Sequence, residues 1–229
     1  MRRAYVIKSP LGVAVLGLAM VTLLCAAGDD EPSSVARKLM QDFAKCLVDR
    51  AAYRLRPALD LPVGESKTNS LLADLANADC LKDRGNLLSI EGGFVLRFQP
   101  SLLRGSIFDV LFAREFRRKP ARDNFEGIIS PSYPISISAI NEHSETARRY
   151  SVSVSIGDCV VRAQPLLARQ LVLSTVESQE EATAIKMLVP FFGPCIDEGH
   201  TIKFSRSVIR SMIAEPLYRL TKAAEGPHA

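Results

Sequence analysis

Residues 96–112 read LRFQPSLLRGSIFDVLF, and residues 202–218 read IKFSRSVIRSMIAEPLY. Aligned without a gap, the two stretches share Phe, Ser, Arg, Ile and Leu at five matching positions, and Asp109 aligns with Glu215. Self-similarity at a fixed offset is the sequence signature of a repeated structural unit. We therefore predict that the chain contains a duplicated helical module.

A pair of cysteines precedes each copy at similar separations, Cys46 with Cys80 and Cys159 with Cys195. Neither pair has the close spacing of a zinc knuckle or of a thioredoxin-like C-x-x-C motif. Structural disulfides are therefore favoured over free buried thiols or a metal site. Four cysteines allow three pairings, and duplication of a self-contained unit favours Cys46–Cys80 and Cys159–Cys195.

Residues 1–27 have the three-part pattern of a secretory signal peptide. A basic start (Met1–Lys8) precedes the apolar run 11–24, and small residues precede a cut after Ala27. A lipid anchor on Cys25 and an uncleaved anchor are the alternatives. The prediction is a periplasmic or secreted protein with no membrane span in its mature chain.

The formal net charge of +4 comes largely from the same segment, which carries three basic residues and no acid. Its removal leaves 26 basic against 25 acidic residues. A nearly neutral chain lacks the overall electrostatic attraction for a polyanion. Nucleic acid is therefore not expected as a partner.

Apolar residues at helical spacing predict a mainly α fold of two tandem three-helix modules, residues 33–116 and 150–222, packed on each other. Residues 117–149 are predicted as a linker. Ser33 or Ser34, Ser178 and Ser205 precede helical patterns and are suited to cap them. The alternating runs Ile135–Ser138 and Val152–Ile156 allow a short β-hairpin between the modules as an alternative.

No nucleophile elbow, phosphate-binding loop, dinucleotide fingerprint or zinc-protease motif occurs, so no catalytic residue, cofactor or metal is predicted. Cys195, Asp197, Glu198 and His200 could converge on a metal. The corresponding part of the first copy has no histidine, and we therefore favour a polar turn.

The duplicated stretch carries an arginine at the same place in both copies, Arg104 and Arg210. An acid follows each arginine after five residues, which is too far around one helix for the two to pair. An ion pair between helices, or a bond to a carbonyl, is one interpretation. The other is that both arginines face one shared cleft and bind an anionic ligand.

The segment Gly157–Arg162 (GDCVVR), followed by Cys195 and by Phe204–Leu220, resembles uncharacterised exported proteins of alphaproteobacteria. The resemblance covers most of residues 33–222 and is strongest in the second module. It implies an extracytoplasmic bacterial protein and no activity. We expect a non-enzymatic binding or interaction protein whose partner is an envelope protein or a small anion. The alternatives are a small-molecule enzyme and a structural component of the envelope.

The N-terminal pattern gives a direct test. We expect protein recovered from the periplasm to have an intact mass that begins near Gly28, because signal peptidase cuts after small residues. A mature species that keeps Met1, or that carries lipid on Cys25, would contradict this.

Overall fold

The computed structural model describes residues 5–7, 32–63, 80, 99–129, 133–135, 141, 144–196 and 202–226. Over these residues the protein is mainly helical, as predicted. The α-helices are α1 (Ser34–Leu59), α2 (Pro100–Phe116), α3 (Glu145–Ala163), α4 (Pro165–Leu173), α5 (Gln179–Leu188) and α6 (Arg206–Glu225). Two 3₁₀ turns, Val189–Phe191 and Gly193–Cys195, follow α5. Strands β1 (Tyr5–Ile7) and β2 (Ile202–Phe204) pair antiparallel.

Helices α2 and α6 form the centre of the structure, and they contain most of the two similar stretches of sequence. Most residues of both helices are buried, which is the pattern of helices that have neighbours on several sides. Helix α1 packs on α2, α3 packs on α6, and α4 contacts both central helices. The aromatic rings of Phe108, Phe116 and Tyr218 meet between the central helices at centroid distances of 5.4 and 5.7 Å.

Side-chain caps fix where the helices begin. The hydroxyls of Ser33, Ser178 and Ser205 accept hydrogen bonds from the backbone N–H groups three residues later, at 3.2 Å in each case. These bonds satisfy donors that have no partner inside the helix. The three predicted caps are confirmed.

The predicted hairpin is wrong, because Val152–Ile156 lies inside α3. Its alternating pattern coincides with a helical one, in which the buried residues recur every three or four positions. One such row is Ala147, Tyr150, Val154, Gly157 and Val161, and Ile156 and Val160 are buried beside it. Val152, which a strand would bury beside Val154, is about half exposed. The other run contributes Ile135 to an isolated bridge with Val63, and 136–138 lies outside the described residues.

Helix α3 also begins inside the segment predicted as linker. Ser144 caps it by accepting from the N–H of Ala147 at 3.4 Å. The carboxylate of Glu145 bonds Arg149 one turn later at 2.7 Å, and an acid in the first turn is favourable near a helix N-terminus. The helix therefore starts five residues before the module boundary expected at 150.

Two disulfides join Cys46 to Cys80 and Cys159 to Cys195, which is the predicted pairing. Each ties a long helix, α1 or α3, to a residue more than 30 positions further along the chain. Closing a loop of this length is expected to stabilise the fold by about 4 kcal/mol through the entropy of the unfolded chain.

The two halves break their helices at the same place. When Cys46 is aligned with Cys159, Ala51 aligns with Gln164. Ala51 is the non-helical residue within α1, at φ −136° and ψ 20°. Gln164 separates α3 from α4, at φ −142° and ψ 64°. For Gln164 the cause is Pro165, because a residue before proline is disfavoured in the helical region.

Helices α3 and α6 approach closely at Gly157. Pro216 has no N–H to donate to the carbonyl of Met212, one turn earlier in α6. A Cβ added at Gly157 would lie 2.1 Å from that carbonyl oxygen and 3.0 Å from the Pro216 ring. Only a residue without a side chain fits here.

We expect Gly157→Ala to lower the free energy of unfolding by about 1–3 kcal/mol, as overpacking of a close interface does. This loss occurs although alanine is the better helix former by about 1 kcal/mol. Urea denaturation measures it, with Ser155→Ala, at an exposed position of the same helix, as control. A Gly157→Ala protein as stable as the parent would show that the two helices are not in this contact.

Candidate functional site

The site is built where α2 crosses α6. Gly105 and Ser211 occupy the same position of the duplicated stretch, and they meet at the crossing. A Cβ on Gly105 would lie 2.4 Å from the Cβ of Ser211. The absence of that atom lets the two backbones approach, and it brings the polar residues on either side of the crossing within bonding distance.

On one side of the crossing, Arg104 of α2 binds Glu215 of α6. Its Nε and Nη2 donate to the two carboxylate oxygens at 2.8 and 2.7 Å. Nη2 also donates to the carbonyl of Leu59 at 2.6 Å. The Tyr150 hydroxyl and Arg219 Nε both donate to Glu215 Oε1, each at 2.9 Å. This bidentate pair is almost completely buried.

On the other side, Arg210 of α6 binds Asp109 of α2 in the same manner. Its Nε and Nη2 donate to the two oxygens of Asp109 at 3.2 and 3.0 Å. Nη2 also donates to the carbonyl of Val172 at 3.0 Å. Gln41 Nε2 donates to Asp109 Oδ2 at 2.5 Å. The two ion pairs are thus reciprocal, since each arginine takes the acid of the opposite copy.

Both arginines therefore make the interhelical ion pair that was one of the two sequence-based interpretations. They do not converge on a shared cleft, because Arg104 and Arg210 line different cavities on the two sides of Gly105 and Ser211. The five-residue spacing to the acid has a simple reason. Each acid binds the arginine of the neighbouring helix, not the arginine of its own helix.

The Arg210 side has a second carboxylate. Glu181 Oε1 accepts from Arg37 Nη2 at 2.8 Å and from Arg210 Nη1 at 3.0 Å. Its Oε2 accepts from the N–H of Glu177 at 2.9 Å. Glu177 has a φ of +68°, a conformation that is costly for a residue with a side chain. Its bonds to Glu181 and Arg37 hold it there.

The two central acids differ electrostatically. Burial opposes the charge of Glu215, but the guanidinium groups of Arg104 and Arg219 outweigh it and hold the pKa of this carboxyl below its ordinary value. Burial raises the pKa of Asp109, although Arg210 and Gln41 oppose the shift. The difference arises because Arg210 is shared with a second carboxylate, whereas Glu215 has two guanidinium groups.

A cavity lies on each side of the crossing, and the two differ in size. The narrow cleft, beside Arg210 and Asp109, holds about 10 Å³. The wide cleft, between α2, α3 and α6 beside Arg104 and Glu215, holds about 60 Å³. Long side chains account for the difference. Met40 and Gln41 line the narrow cleft at positions that align with Ser153 and Val154, which line the wide one.

The guanidinium group of Arg104 has one nitrogen, Nη1, that takes no part in the hydrogen bonds described above. The guanidinium lies over the rings of Phe108 and Tyr150, 5.2 and 5.1 Å from their centroids. Its Nη1 is buried and has no hydrogen-bond partner among the residues that the structure describes. Leaving a buried donor unpaired costs about 1–3 kcal/mol, and more when the group is charged.

The metal cluster considered around Cys195 is not supported, because Cys195 is bonded to Cys159 and residues 197–200 lie outside the described part. Within the described residues, no group of three or more His, Cys, Asp or Glu side chains could hold a metal ion. None of the described helices is both long enough and apolar enough to cross a membrane.

Sequence reasoning identified the two arginines but not all of their partners. Tyr150, Gln41 and Glu181 were missed as members of the site. Gln41 and Tyr150 each bind an acid more than 60 residues further along the chain, and no local pattern indicates such a partner. Glu181 was recognisable only as a residue suited to the first turn of α5. Aligning Cys46 with Cys159 would have indicated the backbone acceptors of the two arginines, since it places the carbonyls of Leu59 and Val172 at equivalent positions.

Comparison of the chain with protein-family models, curated proteins and solved structures finds no match. The geometry of the site is therefore the basis for proposing a function.

We expect Arg104→Ala and Arg210→Ala each to lower the free energy of unfolding by about 3–5 kcal/mol, because each change leaves a buried carboxylate short of its counter-charge. The exposed Arg118→Ala is the control and should change stability by less than about 0.5 kcal/mol. Chemical denaturation of the three variants measures these differences. Two arginine variants that unfold like the parent would exclude a structural role for the ion pairs.

The pKa directions of the two acids predict opposite pH effects. A lowered pKa gives Glu215 a stabilising contribution that is complete above the ordinary glutamate range and is lost as pH falls through its folded pKa. A raised pKa makes Asp109 contribute more as pH falls through its folded pKa. The stability difference between parent and Glu215→Gln should therefore shrink from pH 7 to pH 4, while that between parent and Asp109→Asn grows. If both stability differences shrink, or both grow, as the pH falls, the opposite pKa shifts of Glu215 and Asp109 are contradicted.

Proposed function

We propose that the protein is an exported, non-enzymatic binding protein that holds a small ligand in the wide cleft. The observation that carries the proposal concerns Arg104, whose side chain lines a cavity of about 60 Å³. Its Nη1 is buried and has no hydrogen-bond partner among the residues that the structure describes. Buried donors are almost always paired in folded proteins. A ligand that reaches this donor from the adjacent cleft gains a hydrogen bond that the described residues do not supply.

Binding is favoured over turnover by the fixed protonation states of the cleft. Glu215 accepts bonds from Arg104, Arg219 and Tyr150, and its lowered pKa makes it a weak base. Burial and the neighbouring carboxylate raise the pKa of the Tyr150 hydroxyl. General acid–base catalysis needs groups with pKa values near the working pH. The surroundings shift the pKa values of Glu215 and Tyr150 further from that range.

Export is supported by the signal-peptide pattern of residues 1–27 and by the two disulfides. Disulfides of this kind persist in oxidising compartments such as the periplasm. Cleavage after Ala27 would remove β1, so the mature chain would keep β2 without that partner. The cleft contains no residue of the removed segment.

We also infer that the chain arose by duplication of a module, as the two similar stretches of sequence and the two cysteine pairs indicate. Three structural correspondences support it: reciprocal ion pairs, equivalent disulfides, and a helix break at matching positions. Duplication explains why two similar clefts exist. It leaves each copy free to change one of them.

The binding proposal is tested by screening small polar compounds against isotope-labelled protein recovered from the periplasm. Ser153→Trp is expected to fill the wide cleft and to abolish the shift changes of residues around it. Ser155→Trp, exposed on the same helix, is the matched control and should leave binding intact. Ligand binding that persists in Ser153→Trp, or that shifts residues elsewhere, would refute the wide cleft as the binding site.

A further inference from the structure

We infer that the group accepted by the wide cleft is a carboxylate, which binds Nη1 of Arg104, and that the ligand is a small monocarboxylic acid with a short apolar chain. This inference rests on the proposed function and adds the chemical class of the ligand. Its basis is the other half of the same molecule, where the equivalent nitrogen already holds a carboxylate.

The two arginines have matching partners at Nε and Nη2. Each binds an acid of the opposite helix through both atoms, and each Nη2 also donates to a backbone carbonyl. Those carbonyls belong to Leu59 and Val172, which are equivalent when Cys46 is aligned with Cys159. The third partner of Nη2 differs, since Arg104 donates to the Tyr150 hydroxyl at 3.4 Å and Arg210 donates to the carbonyl of Ser174 at 2.9 Å. The two guanidinium groups thus bind the acid and the first carbonyl alike.

They differ at Nη1. In Arg210 this nitrogen donates to Glu181 Oε1 at 3.0 Å and to the hydroxyl of Ser174 at 3.2 Å. In Arg104 it has no partner within the described part of the chain. The narrow cleft thus shows which group completes an arginine in this setting, and that group is a carboxylate with a hydroxyl beside it.

The first half of the sequence has no acid at the two positions that align with Glu181. In the alignment of Cys46 with Cys159, Glu181 corresponds to Thr68. In the alignment of Cys80 with Cys195, it corresponds to Ser66. Neither residue is an acid, so the carboxylate of the second half has no counterpart at either position.

Charge favours the same ligand. Around the narrow cleft, Glu181 and Asp109 already supply two carboxylates to Arg210. Arg104, which lines the wide cleft, and Arg219 both bind the carboxylate of Glu215, the one buried carboxylate that lines this cleft among the described residues. The additional contact of Arg219 is with Asp60, whose side chain is 69% exposed and therefore well solvated. An incoming anion thus meets an excess of buried positive charge, and charge-assisted bonds to arginine are the strong ones.

The walls define the rest of the ligand. Leu102, Val154, Val208 and Met212 supply apolar surface, and Ser153 supplies a hydroxyl. A space of about 60 Å³ holds about four water molecules, which matches a chain of a few carbon atoms. Because Nη1 is itself shielded from solvent, the side chains that cover it must shift when the carboxylate enters.

The test compares butyrate, butyramide and butylammonium at equal ionic strength, by chemical-shift titration and thermal unfolding of the periplasmic protein. We expect butyrate to shift residues of the wide cleft, to raise the melting temperature and to bind at least about tenfold more tightly than the amide, since charge-assisted bonds are about twice as strong as neutral ones. Ser153→Gln should abolish this binding. Ser153→Glu should also abolish it, and should melt higher than Ser153→Gln because it supplies the missing carboxylate internally.

The outcomes separate this inference from the proposed function. If butyramide or butylammonium binds the wide cleft as tightly as butyrate, the inference that the ligand group is a carboxylate is refuted, but the wide cleft is still supported as a binding site. If butyrate stabilises Ser153→Gln as much as the parent, the anion acts elsewhere and the inference fails. If none of the three compounds shifts the cleft residues, or if Ser153→Glu melts no higher than Ser153→Gln, the carboxylate assignment is likewise wrong. Failure of the proposed function would appear instead in the Ser153→Trp screen.

Discussion

Two reciprocal ion pairs across the crossing of α2 and α6 constrain the rest of this structure. A charge taken out of water is tolerated only when a counter-charge and further hydrogen bonds replace its hydration. Arg104 must therefore meet Glu215, and Arg210 must meet Asp109. Both conditions hold only in one register of the two helices, because a shift by one turn would separate both pairs together.

That register requires a very close approach of the backbones, and small residues supply it. Gly105 faces Ser211 at the crossing, and Gly157 of α3 faces the carbonyl of Met212 in α6. The flanking helices then provide the remaining acceptors, since α1 ends at the carbonyl bound by Arg104 and α4 ends near the one bound by Arg210. Each disulfide fixes a flanking helix, so the polar contacts and the covalent links act on the same elements.

The similarity of the halves makes their differences informative. Arg37 and Glu181 complete the polar network beside Arg210, and the cleft there is nearly closed. At the positions that align with Arg37 and Met40, the other half has Tyr150 and Ser153. The second ion pair is kept, but one arginine nitrogen loses its carboxylate and a larger cavity remains. The buried arginine–acid pair thus occurs on both sides of the crossing, and only the side beside the wide cleft is a candidate binding site.

Much of this could be read from the sequence, because helix caps at Ser33, Ser178 and Ser205, the 3.6-residue spacing of apolar side chains and the duplicated cysteines act locally or as a repeated pattern. Val152–Ile156 was ambiguous, since five residues fit both a strand and a helix until the neighbouring turns are counted. The partners of Arg104 and Arg210 could not be read at all. They lie on other helices about 100 residues away, and their choice depends on how closely two backbones approach. The sequence by itself determined the mainly helical class, the helix caps and the favoured pairing of the cysteines. Only the tertiary structure decided which charges meet and which nitrogen has no partner among the described residues, because burial and distance exist only once the helices pack.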